Sequence, residues 1–290
     1  MPQARIGGHT IEYAVVGADG APALVLIMGT AAPLTMWDDE FCASLARRGF
    51  RVVRFDHRDT GRSSRTPGAM PNSIGEMMAG LSAGSLKPAY RLEDLADEVI
   101  GLLDALGIER AHLLGLSQGG GVAQLAAARA PGRVNALTLV SCSTASPEVP
   151  PPSPETMSVL MSDLPTDGPS FVDWNLLIYT RTGAKEPPPD PEWIRRRAER
   201  TWVQGWSRAG FLRHLLAVIT ATDRRPLLAS LKLPVSIVHG DADPIFPIAT
   251  AYQLAAAVPN ARLTVVPGMG HDLPPAFWSV ICGAVSPEPD

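Results

Sequence analysis

Short apolar runs alternate along this chain with segments of helical period, and this rhythm constrains the fold more than any other feature. His9 to Val16 alternates like an early strand, and Ala23 to Met28 (ALVLIM) has the length of a buried strand. Trp37 to Arg48 reads as a helix, with Asp38, Asp39 and Glu40 in its first turn and Gly49 at its end. Arg51 to Phe55 is the next strand. The stripe of Leu92, Leu95, Val99, Leu102, Leu103 and Leu106 marks a helix over Arg91 to Leu106, ended by Gly107. A strand follows at Ala111 to Leu116, then a helix from Gln118 to Ala130 and a strand at Val134 to Val140. Strands alternating with helices predict an α/β fold, with a mainly parallel central sheet flanked by helices.

The rhythm breaks twice. Ser64 to Tyr90, rich in Gly, Met, Ser and Pro, reads as a long loop. After Val140, two proline clusters, helical pieces and Trp174, Trp193, Trp202 and Trp206 interrupt the pattern. The rhythm resumes with strand Val235 to Val238, helix Ile248 to Ala257, strand Arg262 to Val266 and a short terminal helix. The expected organisation is a core in two parts, 1–143 and 226–290, with an inserted helical cap at 144–225.

Composition narrows the function classes. The 25 Lys and Arg against 29 Asp and Glu leave a net charge of −4, so the clustered basic surplus that nucleic acid requires is missing. No apolar run nears the ~18–20 residues of a membrane span. Cys42, Cys142 and Cys282 are odd in number and widely spaced, which suggests neither a disulfide framework nor a metal site. The amino terminus shows no charged-then-apolar leader pattern. These features together predict a reduced, cytoplasmic protein that takes a small-molecule substrate as monomer or homodimer, with no nucleic-acid or membrane partner.

Gly115-Leu116-Ser117-Gln118-Gly119 matches G-x-S-x-G, between a strand and a helix. A nucleophile on so sharp a turn needs glycine two residues to either side, because the backbones approach closely. A Ser hydroxyl is a poor nucleophile without a base held by a third group. The later chain offers both. Asp243 lies just past strand Val235 to Val238, and His271 lies in the loop after the last strand. The order Ser, Asp, His and the location at strand carboxyl ends suit nucleophilic catalysis. Asp241 is a second candidate for the acid. His239 reads as a structural histidine at a strand end, and His9, His112 and His214 as surface or core residues. Asp56 to Asp59 read as a hydrogen-bonded turn bracing the floor of the site, without the spacing of a metal motif.

The stretches LVLIMGTAA, MWDDEF, FDHRDTGRS, YRLEDLADEVIGLLDALGIERAHLLGLSQGG, HGDADPIFP and PGMGH resemble the α/β-hydrolase superfamily, in detail its bacterial carboxylesterases of the aclacinomycin-methylesterase type. The resemblance implies an α/β-hydrolase fold and a serine esterase, with Ser117 as nucleophile, Asp243 favoured over Asp241 as acid, and His271 as base. It also implies an oxyanion hole from the backbone N–H groups of Thr30 and Gln118. Many relatives carry His-Gly where this chain has Met28-Gly29, a change that keeps the backbone donor. No metal or organic cofactor is implied. Met28, Met77, Met78, Trp174, Tyr179 and Trp206 are candidate walls of a pocket for bulky hydrophobic esters. The simpler reading of the methionines and aromatics is the core of the inserted module. Lactone or C–C hydrolysis, perhydrolysis or acyl transfer by the same triad, and a ligand-binding protein on a hydrolase fold, are the rival readings.

Overall fold

The computed structural model describes residues 1–285. Among them an eight-stranded sheet runs in the order β1-β2-β4-β3-β5-β6-β7-β8. The strands are β1 (Gln3–Ile6), β2 (His9–Val16), β3 (Ala23–Ile27), β4 (Arg51–Phe55), β5 (Ala111–Leu116), β6 (Val134–Val140), β7 (Val235–Gly240) and β8 (Arg262–Val266). β1 and β2 pair antiparallel, as do β2 and β4, and the other pairings are parallel. Parallel strands need crossovers, which here are α1 (Asp39–Arg47), α3 (Leu92–Ala105), α4 (Gln118–Arg129) and α10 (Ala249–Ala257), with α11 (Trp278–Ala284) closing the described chain.

Side chains alternate across the sheet and so fill two layers. Val25 and Ile27 join the stripe of α3 and the apolar face of α4 on one side. Leu24 and Leu26 pack with Phe41 and Leu45 of α1 and Ile281 of α11 on the other. Both faces of β3 are therefore sealed, which is why it reads as one continuous apolar run.

The stretch from Ser64 to Tyr90, expected as a loop, contains helix α2 (Ile74–Ser82). Its start is capped by Ser73, whose Oγ accepts from Glu76 N at 3.1 Å, while Glu76 Oε2 accepts from Asn72 N, the residue before the cap, at 2.8 Å. Strand β1 was not anticipated either. It is joined to β2 through Gly7 and Gly8, both at positive φ.

Between β6 and β7 lie α5 (Pro154–Leu160), α6 (Gly168–Thr182), α7 (Pro191–Gly205), α8 (Arg208–Ile219) and the short α9 (Arg225–Leu228). The two proline clusters are partly helix starts: Pro154 and Pro191 occupy first turns, where a missing N–H is no loss. Ser153, Asp167, Asp190 and Ser207 cap α5 to α8 by accepting from backbone N–H groups. Phe171, Trp174, Trp202 and Trp206 form one aromatic cluster, with Phe171 and Trp206 ring centres 5.2 Å apart. Ile74 and Met77 of α2 join Leu212 and Leu216 of α8, so α2 belongs to the same helical layer.

Candidate active site

Ser117 follows the last residue of β5 with φ 54° and ψ −120°. A non-glycine residue in this region stores strain of roughly 1–3 kcal/mol, which the surroundings must hold in place. The flanking glycines show how. A Cβ on Gly115 would lie 2.3 Å from Gly119 O, and one on Gly119 would lie 2.0 Å from Ile27 O and 2.7 Å from Met28 O. Helix α4 is thus seated directly on the carboxyl end of β3. That contact also brings the Met28-Gly29-Thr30 segment to the serine: a Cβ on Gly29 would stand 3.4 Å from Ser117 Cβ. The N–H groups of Thr30 and Gln118 meet no acceptor among the described residues.

The side chains that come to Ser117 travel far along the chain. Ser117 Oγ lies 3.0 Å from His271 Nε2. His271 Nδ1 lies 2.8 Å from Asp243 Oδ2. The other oxygen of Asp243 accepts from the N–H groups of Ile245 and Phe246, both at 2.9 Å. Burial disfavours charge on Asp243, but His271 and these hydrogen bonds more than offset it and hold the carboxyl below its ordinary value. Burial likewise opposes charge on His271, and the Asp243 carboxylate outweighs it, so the imidazole is raised. Asp241 points elsewhere, with Oδ1 accepting from Gly268 N at 2.7 Å. His239 sits at the end of β7, its Nε2 bonded to Phe246 O at 2.7 Å.

The loop carrying His271 is pressed between the sheet and the helical segment. A Cβ on Gly240 would meet Met269 O at 1.8 Å, and one on Gly270 would meet Gly183 at 2.2 Å. His271 N donates to Thr182 O, and Lys185 N to Gly268 O, each at 2.8 Å. The residues just after α6 therefore run alongside the histidine loop as a short backbone ladder.

A buried polar network underlies the Thr30 side. Asp56 accepts from Leu34 N at 2.6 Å, from Arg62 N at 2.9 Å and from the Gln204 amide at 2.9 Å. Burial raises the Asp56 carboxyl despite these donors. Arg58 pairs with Glu98 and Asp59 with Arg213. On the Gln118 side, the Gln118 amide nitrogen donates to His214 Nδ1 at 2.9 Å, and His214 Nε2 donates to Arg58 O at 2.8 Å. Burial pushes His214 down to about 4 and the neighbouring His57 to about 3, so both imidazoles are neutral at physiological pH. His214, read from sequence as an ordinary surface or core residue, is thus bonded to the residue after Ser117. No sequence signal marks a pairing across 96 positions.

The six pocket candidates separate. Met77, Trp174 and Trp206 lie in the helical layer's own apolar clusters, and Met78 is 39% exposed. Met28 and Tyr179 pack with the layer over β3, next to the segments that carry Thr30 and His271.

A family model described as alpha/beta hydrolase fold matches residues 22–274. Rhodomycin D methylesterase DauP of Streptomyces sp. (strain C5) is 29% identical over 294 residues, covering 93% of this chain and 91% of its own length. A hydrolase from Pseudomonas aeruginosa PA01 of known structure is 27% identical, with a TM-score of 0.70 over 97% of this chain and 96% of its own. The enol-lactonase from Burkholderia xenovorans LB400 shares the fold, with a TM-score of 0.73 at 24% identity, over 98% of this chain and 99% of its own.

Proposed function

Since the chain belongs to the alpha/beta hydrolase fold family, we propose that it is a carboxylic ester hydrolase working through Ser117, His271 and Asp243. The observation that carries the reading is the unbroken hydrogen-bonded path from Ser117 Oγ through His271 to Asp243. His271 Nε2 takes the proton as Ser117 Oγ attacks the ester carbonyl carbon. Asp243 holds the imidazole in the Nδ1–H tautomer and stabilises the imidazolium. The N–H groups of Thr30 and Gln118 receive the developing oxyanion, and loss of one such donor costs about 10²–10³-fold in rate. The alcohol leaves with the proton from His271, and water, activated by the same base, frees the acid from Ser117.

The relative named as a methylesterase, matched over nine-tenths of both chains, supports an ester as substrate. The helices between residues 144 and 225, joined by α2, form the cap of this site. Its apolar composition, with Met28 and Tyr179 below it, suits esters of fairly bulky hydrophobic small molecules. No helix among the described residues is long and apolar enough to cross a membrane.

Ser117→Ala assayed on short and medium p-nitrophenyl esters tests the reading. The expected loss in kcat is about 10⁴–10⁶-fold, with an unchanged circular dichroism spectrum. A wild type inactive on every ester tried, or a variant as active as wild type, would overturn it.

A further inference from the structure

The last two residues of β7 touch both of the loops that come to Ser117. Gly240 lies beneath Met269 of the histidine loop, so closely that a Cβ would collide with its backbone. His239, its neighbour, is fully buried and turns toward the aspartate loop. Its Nε2 lies 2.7 Å from Phe246 O and 3.9 Å from Asp243 Oδ2. Among the described residues, the bond to Phe246 is the only hydrogen bond that ties segment 244–248 to a strand. The segment's other bonds run to Asp243 Oδ1 and to the first turn of α10.

Phe246 in turn meets two of the reacting groups. Its N–H donates to Asp243 Oδ1 at 2.9 Å, and its ring meets the His271 imidazole edge-on, with ring centres 5.5 Å apart. The peptide unit after Phe246 belongs to Pro247 and has no N–H, so its carbonyl is the only handle by which that unit can be held. His239 holds it. The strand thereby fixes Phe246, and Phe246 fixes one oxygen of Asp243, which leaves Oδ2 directed at His271 Nδ1, 2.8 Å away.

The donor at this place has to be uncharged. A cation 3.9 Å from Asp243 Oδ2 would compete with His271 for that oxygen and would oppose the imidazolium formed when Ser117 gives up its proton. Burial pushes His239 below its ordinary value, which keeps the ring neutral. A neutral imidazole still supplies one N–H, here from Nε2 to Phe246 O, while Nδ1 is left without a partner. We propose that His239 is a positioning residue of the reacting triad, which through Phe246 holds Asp243 against His271. This rests on the esterase reading above and adds a fourth residue to its machinery.

His239→Leu removes the donor and takes away no charge. On a p-nitrophenyl ester kcat should fall about tenfold to a hundredfold, the effect of a displaced catalytic group, with KM little changed. The rising limb of kcat/KM against pH should move to lower pH. The carboxylates of Asp243 and Asp272, which raise His271, are both still present, so such a shift reports that Asp243 is less firmly set against the imidazole. His239→Gln brings an amide N–H close to the old Nε2 position. It should return kcat to within about threefold of wild type, well inside the loss from displacement, and return the limb with it. His239→Asn is one methylene shorter and cannot reach Phe246 O. It should behave as His239→Leu does, and it carries the test if the leucine variant fails to fold. Proton NMR follows the low-field resonance of His271 Nδ1–H, which should weaken or move upfield in the leucine and asparagine variants and recover in His239→Gln. A histidine that only stabilises the fold would lower the melting temperature yet leave kcat, the pH limb and the resonance of the folded enzyme unchanged. That result overturns the proposal, as does a His239→Gln enzyme no better than His239→Leu. A wild type inactive on every ester overturns the esterase reading instead, and the resonance then decides by itself whether His239 sets Asp243 against His271.

Discussion

Asp243→Asn isolates the contribution of one oxygen atom. In the wild type, Oδ1 is held by two backbone donors, Ile245 N and Phe246 N, and Oδ2 faces His271 Nδ1. An asparagine must keep its oxygen toward the two N–H groups, because the opposite orientation would lose two hydrogen bonds of about 1 kcal/mol each and set donor against donor. Its amide N–H then points at His271 Nδ1, which has to accept. The ring proton moves to Nε2, toward Ser117, and the base is lost while the geometry survives. The expected fall in kcat is about 10⁴-fold, equivalent to about 5 kcal/mol of barrier. Steady-state kinetics on a p-nitrophenyl ester measures it, with Asp241→Asn as control, since an asparagine there still accepts from Gly268 N. The pH profile adds a second readout. As the proposed base, His271 has to be neutral, so kcat/KM should rise through its pKa, which the Asp243 carboxylate holds above the ordinary 6.5 despite burial. Without that carboxylate the rising limb of the residual activity should move to lower pH. An Asp243→Asn enzyme within about tenfold of wild type, where the lost base predicts about 10⁴, would refute the assignment. So would a collapse of activity in Asp241→Asn alone.

Three further outcomes follow from the geometry. His214→Gln tests a linkage between charge and folding: the native imidazole is held at about 4 against 6.5 unfolded, so the unfolded chain binds the extra proton and the wild type loses stability as pH falls below 6.5. Urea denaturation at pH 7 and pH 5 should show wild type losing about 2 kcal/mol more than the variant over that interval, and equal losses would refute it. Gly119→Ala forces a methyl onto Ile27 O and should destabilise by about 3 kcal/mol with a large fall in kcat, so a variant as stable and active as wild type would contradict the close seating of α4 on β3. Trp206→Ala opens the cluster of Phe171, Trp174 and Trp202 and, being only half-buried, should lower stability by about 2–3 kcal/mol, which an unchanged melting temperature would disprove.

The core was legible because its signals are local. Strand and helix periods are written within ten to fifteen residues, and G-x-S-x-G places Ser117 by its immediate neighbours. Two missed elements also carried local signals. Ser73 and Glu76 carry the S-x-x-E spacing of a helix start within the supposed loop, and Gly7-Gly8 is a two-residue hairpin connection between β1 and β2. What no local pattern encodes is which distant polar groups meet. Gln204 reaches Asp56 across 148 positions, and Thr201 reaches Met36 across 165. Such pairings follow from how the helical layer lands on the sheet, and period and composition are silent about that. The aromatic residues illustrate the same limit: their number pointed to an apolar cluster, and only packing shows that Trp174 meets Phe171 and Phe211 while Trp206 meets Phe171 and Trp202.

The ladder between residues 182–185 and 268–271 bears on how such an enzyme could be rebuilt. Its rungs are main-chain bonds, indifferent to side-chain identity but strict about backbone path. A helical segment transplanted from a relative between β6 and β7 would arrive with a different path after its own α6, and the imidazole loop would lose its outer support. Chimaeras that exchange the two stretches together should keep their turnover, because the helical segment and the histidine loop are mechanically one part.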